Sequence, residues 1–161
     1  MKKNLLYWVL WGVLLLAGCW SSLTVVEYND SFIKVVNDCL SATQPFWDEF
    51  EWWNTDLATL QDDIQICKKA WKDASNLWNF DWDSSLKEAV INFLWTYTDY
   101  LEKFTETSPY RNIDNISTED EDYYRNLRQE LASLENDLNA QMSSLQEVQE
   151  SFAAKHGLKL Q

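Results

Sequence analysis

Glycine and proline are nearly absent from this chain, with three and two in 161 residues. Tight β-hairpins and phosphate-cradling loops both depend on glycine's backbone freedom, and after residue 19 the only breakers are Pro45, Pro109 and Gly157. Histidine occurs once, at His156, so there is no His-Glu-x-x-His helix, and any Ser-His-Asp set would rest on this one terminal side chain. No Cys-x-x-Cys pair exists either. Basic residues are scarce: 13 Lys and Arg against 26 Asp and Glu, a formal net charge of −13. That balance argues against nucleic acid as a partner and against electrostatic attraction to anionic lipid.

What is present begins with Met1-Lys2-Lys3-Asn4, an apolar run from Leu5 to Ala17, and then Gly18-Cys19. A short positive start, an apolar stretch and small residues before a cut site have the pattern of an export signal. The run is short for a bilayer span, which needs about 20 apolar residues. Leu16-Ala17-Gly18-Cys19 resembles the lipobox of bacterial lipoproteins. That resemblance implies cleavage between Gly18 and Cys19 and transfer of a diacylglyceryl group, carrying palmitate-like chains, to the Cys19 thiol. An uncleaved anchor or an ordinary signal peptide is the alternative. Each acyl chain adds about 0.8 kcal/mol per buried CH₂, so two or three chains anchor stably.

The expected organisation is therefore a signal over 1–18, a lipidated tether over 19–22 and one domain over 23–161. Loss of Lys2 and Lys3 leaves 11 basic and 26 acidic residues, a formal charge of −15, so lipid rather than charge must hold the chain to a membrane.

Apolar residues in the domain recur at steps of three and four, and no alternating strand pattern is found. Helix A is expected from Leu23 to Glu51 on Val26, Ile33, Val36, Leu40 and Phe50, ended or kinked at Pro45. Helix B runs from Thr55 to Asn76 on Leu57, Leu60, Ile64, Cys67 and Trp71. After a loop over Leu77–Asp83, helix C starts at Ser84 or Ser85, with Glu88 placed for a capping box with Ser85, and stops near Pro109. Helix D begins after Ser117, carries a seam from Tyr123 through Leu127, Leu131, Leu134, Leu138, Met142, Leu145 and Val148 to Phe152, and ends at Gly157. Asn115-Ile116-Ser117 matches a glycosylation sequon but is read as the start of helix D. The expected fold is all-α, an antiparallel four-helix bundle; a coiled-coil dimer through helix D would use the same seam. Asp83-Ser84-Ser85-Leu86-Lys87-Glu88-Ala89 and Phe152-Ala153-Ala154-Lys155-His156-Gly157-Leu158 also look like segments of helical-bundle lipoproteins of bacteria with no assigned activity. This second resemblance implies the fold and offers no site.

With Cys19 assigned to lipid, Cys39 and Cys67 form an even pair in an exported chain. A hairpin turning near Trp53-Asn54 would put each about 20 Å from the turn at 1.5 Å per residue. A disulfide between them would stabilise by about 3 kcal/mol. The alternative is two buried thiols behaving as small apolar groups.

Ten tryptophans against three glycines is an unusual ratio, and several tryptophans stand where glycine is expected. Trp20 follows the lipid cysteine, Trp52 and Trp53 occupy the A–B turn, and Trp78 and Trp82 fall in the B–C loop. One reading makes some of these a reassigned stop codon that the host reads as glycine. In the other they are genuine tryptophans whose exposed indoles bind a glycan, a peptide, a small molecule, a membrane interface or a protein. A pocket lined by Trp47, Trp71, Trp78 or Trp82 would favour the ligand-binding reading.

Candidate chemistry is thin. His156 sits where a helix C-terminus favours positive charge. Asp81-x-Asp83-x-Ser85 has a faint likeness to a calcium loop but lacks its glycine, and Glu88 falls at the wrong spacing. Asp62-Asp63 and the run from Glu119 to Asp122 suit solvated helix faces, and Tyr97, Tyr100, Tyr110, Tyr123 and Tyr124 suit the edge of a core. The expectation is no catalytic residue, no metal site and no cofactor. The expected role is that of a non-enzymatic, lipid-anchored envelope protein contacting a protein partner, with a ligand-binding lipoprotein as the alternative. Trp20 is not the Asp that marks inner-membrane retention in some diderm bacteria. That points to the outer membrane where the host has one, and otherwise to the outer face of the cytoplasmic membrane.

Overall fold

The structure, a computed structural model, describes residues 23–50, 57–107 and 117–159. The expected signal, Cys19, the A–B turn at Trp52 and Trp53, and the stretch holding Pro109, Tyr110 and Asn115 lie outside those residues. Four α-helices follow in order: α1 Val25–Glu49, α2 Leu60–Asn76, α3 Ser85–Thr105 and α4 Thr118–His156. A short 3₁₀ turn, Leu57–Thr59, leads into α2. The fold is an all-α four-helix bundle, with no strand among the described residues beyond one isolated bridge, Phe80 with Asp83.

The caps differ in part from expectation. Helix α1 opens on a capping box: the Thr24 hydroxyl accepts from the Glu27 amide at 3.2 Å, and the Glu27 carboxylate accepts from the Thr24 amide at 2.8 Å. Each satisfies a donor that the first turn leaves without a helical partner. The box expected between Ser85 and Glu88 does not form. Ser84 occupies the cap position in a helical conformation with no side-chain cap bond, and Asp83 serves instead. Its Oδ1 accepts from the Ser85 amide at 3.0 Å and the Ser85 hydroxyl at 2.6 Å. Ser117 caps α4 by accepting from the Asp120 amide at 3.1 Å. Gly157 closes α4 in the left-handed region at φ 72°.

Pro45 does not end α1; the helix continues to Glu49. Packing outweighs the missing amide. Phe46, one residue on, is buried, and its ring and that of Trp47 meet Phe104 at 6.1 and 5.2 Å. Trp47 Nε1 also donates to the Tyr97 hydroxyl at 3.0 Å, which lies 2.7 Å from Thr43 Oγ1. Thr43 in turn donates back to the Leu40 carbonyl at 3.2 Å. This chain of bonds ties the turn around Pro45 to α3. At the next element, the regular α-helix starts at Leu60 rather than Thr55, the 3₁₀ turn standing before it.

Each helix packs chiefly on its sequence neighbours, as an up-down bundle requires. α1 and α4 touch near one end, through Tyr28 and Phe152 with ring centroids 5.5 Å apart and through Gln149 Nε2 donating to Asn29 Oδ1 at 3.1 Å. In α4, Leu127, Leu138 and Phe152 are buried, while Leu131, Leu134, Met142, Leu145 and Val148 pack half-buried against the core. The heptad seam is thus taken up inside the chain, the arrangement opposite to a coiled-coil dimer through α4. Cys39 and Cys67 are joined in a disulfide between α1 and α2, Cα–Cα 4.5 Å, both fully buried.

Candidate functional site

In an up-down bundle the start of α1, the α2–α3 loop and the end of α4 come together at one end. Here that end is built around Asp83. The loop turns back on itself over Phe80-Asp81-Trp82-Asp83, with the Asp83 amide donating to the Phe80 carbonyl at 2.8 Å. Both central residues have positive φ, 47° at Asp81 and 62° at Trp82. A closed four-residue turn with two positive φ angles is the type I′ arrangement, which favours Asn-Gly and Asp-Gly.

The turn delivers Asp83 to the end of α4. Its Oδ2 accepts from Lys155 Nζ at 2.7 Å and lies 3.3 Å from His156 Nε2. The carboxylate is 9% exposed and the imidazole 8%. The His156 ring packs on Phe80 and Phe152, with centroids 5.0 and 4.6 Å away. Lys87 Nζ donates to the Leu77 carbonyl at 2.6 Å and fixes the start of the loop. The Lys155 ammonium, followed by the two Ser85 bonds, holds the Asp83 carboxyl well below the usual carboxylate range. Burial pushes the nearby Tyr28 phenol up, with the Phe80 backbone acting against it.

Both Asp83 oxygens carry partners, and Ser85 Oγ points to Asp83 rather than to His156. A nucleophile–base–acid relay needs the hydroxyl on the imidazole, so this geometry makes a clamp and not a triad. A cation at Asp83 is already supplied by Lys155. Among the described residues, no group of three or more His, Cys, Asp and Glu is arranged to hold a metal.

The four tryptophans singled out from the sequence do not line one pocket. Trp47 lies at the opposite end, against Phe46, Phe50, Tyr100 and Phe104. Burial there pushes the Tyr100 phenol up to about 12. Trp78 and Trp82 stand on the loop, 85% and 98% exposed. Trp71 borders a shallow groove of about 360 Å³ between α2 and α3. Its neighbour there is Trp95, which the sequence did not mark, over Thr98 and beside the Lys68–Glu102 ion pair at 2.6 Å.

Sequence reasoning missed the Asp83–Lys155–His156 clamp, although its signal was present. The start of α3 and the end of α4 share one end of an up-down bundle, so an acid capping the first faces cations closing the second. Comparison with family models, curated proteins and solved structures returns no match.

Proposed function

We propose that this chain is a lipid-anchored envelope protein with a non-enzymatic role in structure or protein contact, held to the membrane through acylated Cys19. The observation that carries the reading is Leu16-Ala17-Gly18-Cys19 closing an apolar, positively led segment, four residues before the first described residue, Leu23. A disulfide between Cys39 and Cys67 suits an exported protein, because thiols persist as disulfides in oxidising compartments. No described helix is long and apolar enough to cross a membrane, so the acyl group would supply the membrane contact. The partner is a protein, and the membrane is the outer one where the host has two.

The test is expression in a bacterial host fed labelled palmitate, followed by intact-mass analysis. The expected result is a chain beginning at acylated Cys19, with label and membrane fractionation both lost in Cys19→Ser. A chain retaining Met1, or cut elsewhere without lipid, would overturn the reading. The groove beside Trp71 and Trp95 favours a second reading, a ligand-binding lipoprotein, since indole faces stack on sugar rings and apolar groups. Titration with short oligosaccharides should then quench tryptophan emission in the parent chain and leave Trp95→Ala unchanged. An identical response in both would remove this reading.

A further inference from the structure

Charge is distributed unevenly along the bundle axis. A mid-level is set by the Cys39–Cys67 disulfide and by Gln141 Nε2 donating to Thr96 Oγ1 at 2.9 Å. On the Asp83 side of it, residues 23–39, 67–96 and 141–159 hold nine acidic and seven basic residues. On the other side, residues 40–50, 57–66, 97–107 and 117–140 hold fourteen acidic and three basic. One half is close to neutral at −2, and the other carries −11.

The chain enters from the near-neutral half, at Leu23. Cys19 lies four residues earlier, and four extended residues reach at most about 14 Å. Three of the exposed large apolar side chains also belong to this end: Leu23 at 44%, Trp78 and Trp82. Indoles favour the headgroup layer, where an apolar ring and a polar N–H are both satisfied. Lys155, paired with Asp83, and Lys159 offset the loop acids there and keep this end near neutral.

We propose that this end of the bundle, with Leu23, the Trp78–Trp82 loop and the end of α4, rests on the headgroup layer of the anchoring bilayer, so that the acidic half stands away from it. The inference rests on the acyl anchor proposed above. From the start of α1 to Cys39 the helix rises about 21 Å at 1.5 Å per residue, so in the upright pose the acidic half begins more than two Debye lengths, each about 8 Å, above the surface. Lying flat would bring the −11 half within one Debye length of anionic headgroups.

Amine footprinting tests this on the full lipidated chain in phosphatidylglycerol–phosphatidylethanolamine vesicles, compared with soluble Cys19→Ser. After flotation with the vesicles, acetylation of Lys155 and Lys159 should slow several-fold. Lys34 and Lys69, part-way up the bundle, and Lys103 in the acidic half should label as they do in solution. Flotation with equal labelling at all these lysines, or with protection centred on Lys103, would overturn the orientation and leave the anchor standing. Failure to float would overturn the anchor and the orientation with it.

Discussion

Replacing Trp82 by glycine should stabilise the protein. Trp82 has φ 62° and is 98% exposed. A residue with a Cβ in the left-handed region costs about 1–2 kcal/mol, from the clash of Cβ with the following carbonyl. Glycine removes that clash but gives the unfolded chain more freedom, which returns roughly 0.5–1 kcal/mol. An indole this exposed contributes almost no burial to offset the strain, so Trp82→Gly should gain about 0.5–1 kcal/mol. That corresponds to a rise in Tm of about 2–4 °C. Urea denaturation followed by far-UV circular dichroism measures it, the slope staying constant while the midpoint rises.

The loop supplies its own control. Trp78 is also exposed, but it is not among the residues with positive φ. Trp78→Gly has no strain to relieve and should be neutral or destabilising by about 0.5 kcal/mol. Asp81→Gly should gain less than Trp82→Gly, because Asp tolerates the left-handed region better. A Trp82→Gly variant equal to or weaker than the parent, or one matched by Trp78→Gly, would refute the backbone argument. A strained, exposed tryptophan calls for a reason other than stability. Either the host places glycine at 82, or the indole is held for the surface it meets. The peptide between Lys72 and Lys87 contains both loop positions, so its mass in host-made protein decides between the two.

Reducing the Cys39–Cys67 bridge, which spans 28 positions, should cost about 3–4 kcal/mol, read as a drop in the urea midpoint under reductant that is absent from a Cys39→Ala/Cys67→Ala chain. Asp83→Asn should cost about 1 kcal/mol at neutral pH, because a half-buried carboxylate that holds Lys155 and both Ser85 donors loses its charge. The depressed Asp83 carboxyl contributes stability that is whole above its unfolded value of about 3.9 and is lost as pH falls through its folded value. Urea midpoints should therefore fall below about pH 4 in the parent and less steeply in Asp83→Asn. Gly157→Ala should cost about 1 kcal/mol, visible in thermal melts. An added Cβ there meets nothing within 4 Å, so the loss would be conformational alone.

The helices were legible because their apolar steps repeat every three or four residues over many turns. Ser117 and Gly157 were legible because a cap is a local feature: the Ser117 hydroxyl reaches an amide three residues on, and only glycine takes φ 72° without cost. The readings that changed each depended on a competitor the sequence does not rank. Ser85 and Glu88 have capping-box spacing, but Asp83, a carboxylate two residues earlier, takes the Ser85 amide. Pro45 carries a real penalty, yet Phe46, Trp47 and Thr43 draw enough packing and hydrogen bonding from α3 to carry the helix past it. Trp47 read as a binding residue because tryptophan is common at binding surfaces, whereas its indole N–H has a buried-edge partner in Tyr97 that lies 50 positions away. The Trp71–Trp95 groove needs α2 and α3 side by side, and no periodicity in either helix announces it.

Among the described residues, two polar centres are each internally joined. Asp83 takes Ser85, Lys155 and His156. Tyr97 takes Thr43 and Trp47. These two centres sit on either side of the disulfide level, and each couples helices distant in sequence: the first ties the α2–α3 loop to the end of α4, the second ties α1 to α3. With the disulfide joining α1 to α2 between them, the bundle is fixed at three levels along its axis. On the proposed anchor, ties at three levels would hold the acidic half at a set height above the bilayer. The bundle's outer field falls off within about 8 Å at physiological salt, so whatever it recognises must come close, and a basic surface would be drawn to that half first.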